Sequence, residues 1–206
     1  MAAFLQGIYL SARPTNFAIR HNNGNKGGHQ LYYQKKFKIM YTIIAGTNRV
    51  GSNTLKIATI YQQLLQKKGI KANLLSLVNI NLLVRDAAFE KIENELLIPT
   101  SKFLFISPEY NGSFPGVLKM LIDTSKSNSI WANKKALLTG VSTGRAGNLR
   151  GMEHLAGVLH YLKITVLPNL LPISVVNTLL DENGQLKDEN TLLVINQQID
   201  QFINWA

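Results

Sequence analysis

Residues 103–112 read Phe-Leu-Phe-Ile-Ser-Pro-Glu-Tyr-Asn-Gly. Four apolar residues predict a buried strand. A proline then stops it, and an acid, a phenol, an amide and a glycine follow at once. In an open α/β sheet, ligands bind in the crevice outside the carboxyl ends of the strands. This loop therefore stands where backbone groups and one ring can grip a flat aromatic cofactor. Pro, Asn and Gly also make ordinary turns, so its meaning depends on what surrounds it.

Outward from this stretch the chain alternates regularly. Strands are predicted at Met40–Ala45, Ala72–Leu77, Lys102–Ile106, Lys135–Ser142 and Lys163–Leu167. Helices are predicted at Thr54–Lys68, ended by Gly69, and at Asp86–Leu97, closed by Pro99. A third helix spans Pro115–Ser125, with proline at its start where the missing N–H costs nothing. Two more cover Arg150–Leu162 and Thr191–Trp205, with a polar turn between Asn177 and Asn190. Core-facing positions include Leu55, Ala58, Ile60, Leu64 and Leu65 on the first helix, and Met152, Leu155, Ala156 and Leu159 on the fourth. Apolar strands separated by helices predict an α/β three-layer sandwich with a parallel sheet covered on both faces. Five strands favour the flavodoxin-like order 2-1-3-4-5.

The 206 residues suit one domain with a sizeable core. The absence of cysteine excludes disulfides, thiolate metal sites and thiol catalysis. No apolar run reaches the roughly 20 residues of a membrane span. The four histidines are dispersed; His154 and His160 are not spaced to share a helix face, so no metal site is expected. The net charge of +10 is uneven: residues 1–39 hold six Lys/Arg and no acid, and so +6 of it. Residues 1–37 are read as a basic N-terminal extension, and 38–206 as the folded domain. An organelle transit peptide and a nucleic-acid-binding arm are the competing readings of the extension. Met1–Leu10 lacks the features of a secretory leader, and a cytoplasmic location is expected.

Two further loops give the first its meaning. After the first strand comes Gly46-Thr47-Asn48-Arg49-Val50-Gly51-Ser52-Asn53-Thr54, leading into a helix. Hydroxyls, amides and one cation beside a helix N-terminus make a seat for a phosphate. There is no Gly-Lys-Ser/Thr ending and no G-x-G-x-x-G, so neither a triphosphate loop nor a dinucleotide fingerprint is present. After the fourth strand comes Ser142-Thr143-Gly144-Arg145-Ala146-Gly147-Asn148, whose glycines let backbone approach a ligand closely. Strands one, three and four are adjacent in the expected order. One loop for a monophosphate and two for a planar ring then converge on one crevice.

Residues 40–206 resemble the NADPH-dependent FMN reductase family, flavodoxin-like proteins that include quinone, azo-dye and chromate reductases. The resemblance rests on Gly46-Thr47-x-Arg49-x-x-Ser52-Asn53-Thr54, on Ser107-Pro108-Glu109-Tyr110-Asn111-Gly112-Ser113-x-Pro115-Gly116-x-Leu118-Lys119, and on Ser142-Thr143-Gly144-x-x-Gly147. It implies that Thr47, Arg49, Ser52, Asn53 and Thr54 hold the FMN phosphate. It also implies that Pro108, Glu109, Tyr110, Asn111 and Gly112 line the isoalloxazine, with Ser142, Thr143, Gly144 and Gly147 on its other side. Met120, Thr124 and the proline-free Leu82–Asp86 depart from the family's pattern near its subunit contacts and second-substrate side.

The resemblance implies hydride transfer from NADPH or NADH to FMN, then onward to a small acceptor: a quinone, a free flavin, an azo compound or a metal oxyanion. The flavin carries that chemistry, so no catalytic acid or base is expected. Arg145 and Arg150 are candidates to meet the extra phosphate of NADPH. A homodimer or homotetramer is implied. A flavodoxin-type electron carrier without nicotinamide chemistry, and a non-enzymatic binder using the basic arm, are the alternatives.

Overall fold

The computed structural model describes residues 39–126 and 130–205. The expected N-terminal extension lies outside the described residues. The first strand, β1 (Tyr41–Ala45), is buried along its whole length, as a strand covered on both faces requires. It feeds α1 (Asn53–Lys67), where Ser52 caps the helix by accepting from the Leu55 amide at 3.1 Å. β2 (Ala72–Ser76) follows, then α2 (Ala87–Ile92), capped by Asp86 and continued by one wider π-helical turn, Glu93–Leu97. β3 (Lys102–Pro108) and α3 (Gly116–Thr124) come next, then β4 (Lys135–Val141) and α4 (Leu149–Tyr161). The chain closes through β5 (Thr165–Val166), β6 (Leu171–Ile173), the single turn α5 (Val176–Leu179) and α6 (Glu189–Asn204).

The strands are parallel in the order β2-β1-β3-β4-β5, as the sequence predicts. The last position is filled by two short segments. β5 pairs with the start of β4, Lys135↔Thr165, and β6 with its end, Thr139↔Leu171. Pro168 lies in the gap between them and cannot donate to a ladder, whereas Pro172 sits inside β6.

One core layer packs α1 and α6 on the sheet around Ile57, Tyr61, Ile195 and Phe202. The other packs α2, α3 and α4 around Phe103, Phe105, Trp131 and Leu155. Tyr61, which the apolar pattern passes over, is wholly buried; its hydroxyl donates to Gln198 at 2.7 Å and lies 2.8 Å from Thr139 Oγ1. Burial pushes this phenol well above the ordinary tyrosine range, with the Thr139 hydrogen bond working the other way. Strand β3 ends two residues later than the apolar run suggests. Pro108 can belong to it because β1 stops at Ala45, opposite Ile106, so its missing N–H faces no carbonyl.

Candidate functional site

The loops after β1, β3 and β4 meet at the carboxyl end of the sheet. In the first, Gly46 donates to Ile106 O at 2.8 Å, and Leu118 and Ile106 leave almost no room for a side chain there. The chain can then turn into α1. The amides of Gly51, Asn53 and Thr54 have no acceptor among the described residues. Those of Asn53 and Thr54 are donors that every helix start leaves unpaired, here at the positive end of a 15-residue helix.

The second loop turns on Asn111 (φ 51°) and Gly112 (φ 75°). Tyr110 and Ser113 exchange both backbone hydrogen bonds across it, at 2.8 and 3.1 Å. Two consecutive positive φ values make this a type I′ turn, the conformation that Asn-Gly favours. The turn fixes where Tyr110 points. Its hydroxyl lies 2.7 Å from Thr47 Oγ1, and the Arg49 guanidinium stacks over its ring at 4.2 Å. Thr47 Oγ1 also accepts from the Arg49 amide at 3.2 Å. The first two loops are thus tied by one aromatic residue.

The third loop begins with Ser142, whose hydroxyl donates to Gly144 O at 2.8 Å and accepts from the Gly147 amide at 2.9 Å. Thr143 and Gly144 are exposed, and Gly147 is buried so tightly that a Cβ would stand 2.5 Å from Pro172. Asn148 then donates from its backbone to Glu109 Oε2 at 3.3 Å. The Glu109 carboxylate therefore sits at the start of α4 rather than turning to solvent. The backbone amides of Asn111, Gly112, Thr143 and Gly144 have no acceptor among the described residues.

A fourth segment completes the rim, and the sequence reading passed over it. Val175 and Val176 donate to Gly144 O and Ser142 O, at 2.9 and 3.0 Å. Beside them, Asn177 Oδ1 accepts from Asn53 Nδ2 at 2.6 Å. The contacts close into a ring: Thr47 to Tyr110, Glu109 to Asn148, Ser142 and Gly144 to residues 175–176, and Asn177 back to Asn53. The available signal was the apolar run Leu170-Leu171-Pro172-Ile173, which its proline made hard to read as a strand.

All fourteen expected site residues fall on this rim, in differing states. Arg49 and Asn111 are exposed, Ser52 serves as a helix cap, Asn53 is engaged by Asn177, and Thr54 is buried under the first turn of α1. Arg150 lies against the second loop, 3.0 Å from where a Cβ on Gly112 would stand. Beside Tyr110 opens a cavity of about 460 Å³, walled by Asn48, Ile80, Leu82, Val117 and Met120. Among the described residues no cluster of His, Asp or Glu could hold a metal, and no helix is long and apolar enough to cross a membrane.

This arrangement defines a flavodoxin-like protein whose loops converge at the carboxyl end of the sheet. Residues 40–177 match the NADPH-dependent FMN reductase family, and the chain belongs to it. Among curated relatives, a 2-hydroxy-1,4-benzoquinone reductase from a Burkholderia species is 33% identical over 108 residues, 50% of this chain and 58% of that protein. An NAD(P)H-dependent FMN reductase of Pseudomonas aeruginosa is 35% identical over 107 residues, 50% of this chain and 57% of that protein. The matches thus span little more than half the length of these relatives. Among solved structures, a flavoenzyme NAD(P)H:(acceptor) oxidoreductase from Paracoccus denitrificans superposes with a TM-score of 0.70. It is 22% identical, over 82% of this chain and 97% of that one, and the likeness speaks to the fold.

The rim residues fit an FMN-sized group. The amides at the start of α1 and Arg49 suit its phosphate, and the unpaired amides of the second and third loops suit the polar edge of its ring.

Proposed function

We propose that the protein is an FMN-dependent NAD(P)H oxidoreductase that passes reducing equivalents from a nicotinamide to a small acceptor. The observation that carries this reading is the ring of hydrogen bonds joining the loops, with unpaired amides left at both its anion seat and its ring crevice. When bound, the flavin supplies the hydride and one-electron chemistry.

The chain's own work is binding and electrostatics. The amides of residues 51–54, the Ser52 and Thr47 hydroxyls and the Arg49 guanidinium hold the phosphate. Pro108–Gly112 form one wall of the ring crevice, and Ser142, Thr143, Gly144 and Gly147 the other. The free amides of Asn111, Gly112, Thr143 and Gly144 would hold the polar edge of the ring and favour negative charge there. No side chain needs to act as acid or base. The cavity beside Tyr110 has mainly apolar walls and no charged residue. It suits a flat nicotinamide, quinone, flavin or azo acceptor better than a metal oxyanion. Arg150 and Arg145 stand on the rim to meet the phosphates of the nicotinamide nucleotide. Assembly as a homodimer or homotetramer completes the proposal, and light scattering on the purified protein tests it.

The test of the activity is direct. The purified protein, loaded with FMN, should be yellow and should bleach when NADPH or NADH is added anaerobically. A yellow protein that neither nucleotide bleaches would indicate an electron carrier. One that takes up no FMN would remove the proposal.

A further inference from the structure

We infer that Asn148 is a positioning residue for the flavin ring: a buried amide that holds the end of β3 in the shape the ring meets. The inference rests on the FMN reading above, but its grounds lie in the backbone. Past Ile106, β3 has lost its partner on the β1 side, because Gly46 N takes the Ile106 carbonyl and β1 has ended. The Pro108 carbonyl, which faces that side, would be left without a donor in a buried place, while the Ser107 carbonyl faces β4. Asn148 Nδ2 donates to Pro108 O at 2.9 Å, and also reaches Ser107 O at 3.0 Å and Ser107 Oγ at 3.3 Å. Its backbone N–H takes the Glu109 carboxylate. One wholly buried residue of the third loop therefore grips three consecutive residues of the second, immediately before the ring-facing turn at Tyr110–Ser113.

The surroundings are shaped for this side chain. Asn148 has φ 62° and ψ 29°, a left-handed conformation that asparagine tolerates better than other non-glycine residues. A Cβ on Gly151 would stand 2.0 Å from Asn148 Oδ1, and one on Gly140 would stand 3.0 Å from Asn148 Cβ. Both neighbours lack the atom that would expel it. The arrangement leaves Asn148 Oδ1 as a buried acceptor with no partner among the described residues. An unmade buried bond is a cost; here it accompanies the gain of two donors directed at adjacent carbonyls, which a hydroxyl, with one proton, cannot provide.

The experiment compares wild type, Asn148→Gly and Asn148→Asp as full-length protein. Glycine keeps the left-handed backbone and deletes the amide; aspartate keeps the shape and replaces the donor with an acceptor. Three readouts are taken: amide hydrogen exchange across residues 103–114 in the flavin-free protein, FMN affinity with the visible circular dichroism of the bound flavin, and affinity for inorganic phosphate. The expected result for both variants is faster exchange at Glu109 and Tyr110. FMN should bind about tenfold more weakly with an altered flavin dichroism band, while phosphate affinity is unchanged. Unchanged exchange overturns the clamp. Faster exchange with wild-type FMN affinity and dichroism overturns the positioning role. If Asn148→Asp fails to fold, Asn148→Gly alone decides. A wild-type protein that binds no FMN defeats the flavin reading itself, an outcome distinct from a wild type that binds and a variant that binds equally well.

Discussion

The two ends of the sheet solve opposite problems. At the amino end, lysines seek out carbonyls. Lys102, the first residue of β3, sends its buried ammonium to Phe202 O, Ile203 O and Trp205 O at 2.7, 3.1 and 3.0 Å, closing the end of α6. Lys135, its neighbour on β4, reaches Trp205 O at 3.4 Å and lies over the Trp205 ring. Lys134 bonds Ile98 O at 2.9 Å and also Thr100 O. Burial holds the Lys102 and Lys134 amines below the ordinary lysine range, with Lys135 adding repulsion on Lys102. At the carboxyl end the imbalance is reversed: amides stand without acceptors, and several residues adopt positive φ. The amino end closes these carbonyls internally, and under the proposed function the carboxyl end holds its free amides for a ligand. Stability and binding are therefore expected to separate along the strand direction.

The strongest way to break that separation is at the amino end. Lys102→Met removes a donor from three carbonyls at the close of α6. It should cost about 3 kcal/mol in chemical denaturation, while leaving FMN affinity of the folded fraction unchanged. A loss of flavin affinity comparable to the loss of stability would show that the two ends are not independent. The converse test is Arg49→Ala. It removes the exposed cation of the anion seat and should weaken FMN binding by about 2 kcal/mol, roughly thirtyfold, with no fall in melting temperature.

A third prediction concerns pH. Burial pushes the Glu93 carboxyl up, but hydrogen bonds from Arg85 and the Lys126 amide, with the charge of Arg85, outweigh it and hold it below the ordinary glutamate range. A depressed folded pKa stabilises the protein above the unfolded value, and that stability is lost as pH falls through the folded value. Denaturation of wild type should therefore weaken through the acid range. Glu93→Gln, less stable at neutral pH, should show a flatter acid limb. Parallel limbs would remove the assignment. The smallest effect is expected for Tyr110→Phe, which keeps the ring under Arg49 and deletes only the hydroxyl facing Thr47. FMN affinity should change by less than about fivefold. A larger loss would give the phenol a direct part in holding the ligand.

Much of this was legible in the chain because its signals were local. Runs such as Phe103–Ile106 and the glycine and proline stops mark strands and helix ends without reference to distant residues. The convergence of three loops followed from topology once the order was inferred. What escaped depended on partners far along the chain. The split of the last strand into β5 and β6 falls at Pro168, and which segment pairs with which end of β4 depends on where β4 lies. The buried group of Tyr61, Thr139 and Gln198 joins three elements by hydrogen bonds that leave no periodic trace. Asn148 read as one more polar loop residue, since its importance comes from carbonyls 40 and 41 positions earlier. The Glu109 side chain is likewise placed by a distant partner, the Asn148 amide at the start of α4.

The most direct test of the account is a paired titration of the flavin-free protein with FMN and with riboflavin, followed by flavin fluorescence. A seat made from helix-end amides and Arg49 predicts that FMN binds stoichiometrically and at least about a hundredfold more tightly than riboflavin, which lacks the phosphate. Equal affinities, or no binding of either, would contradict it.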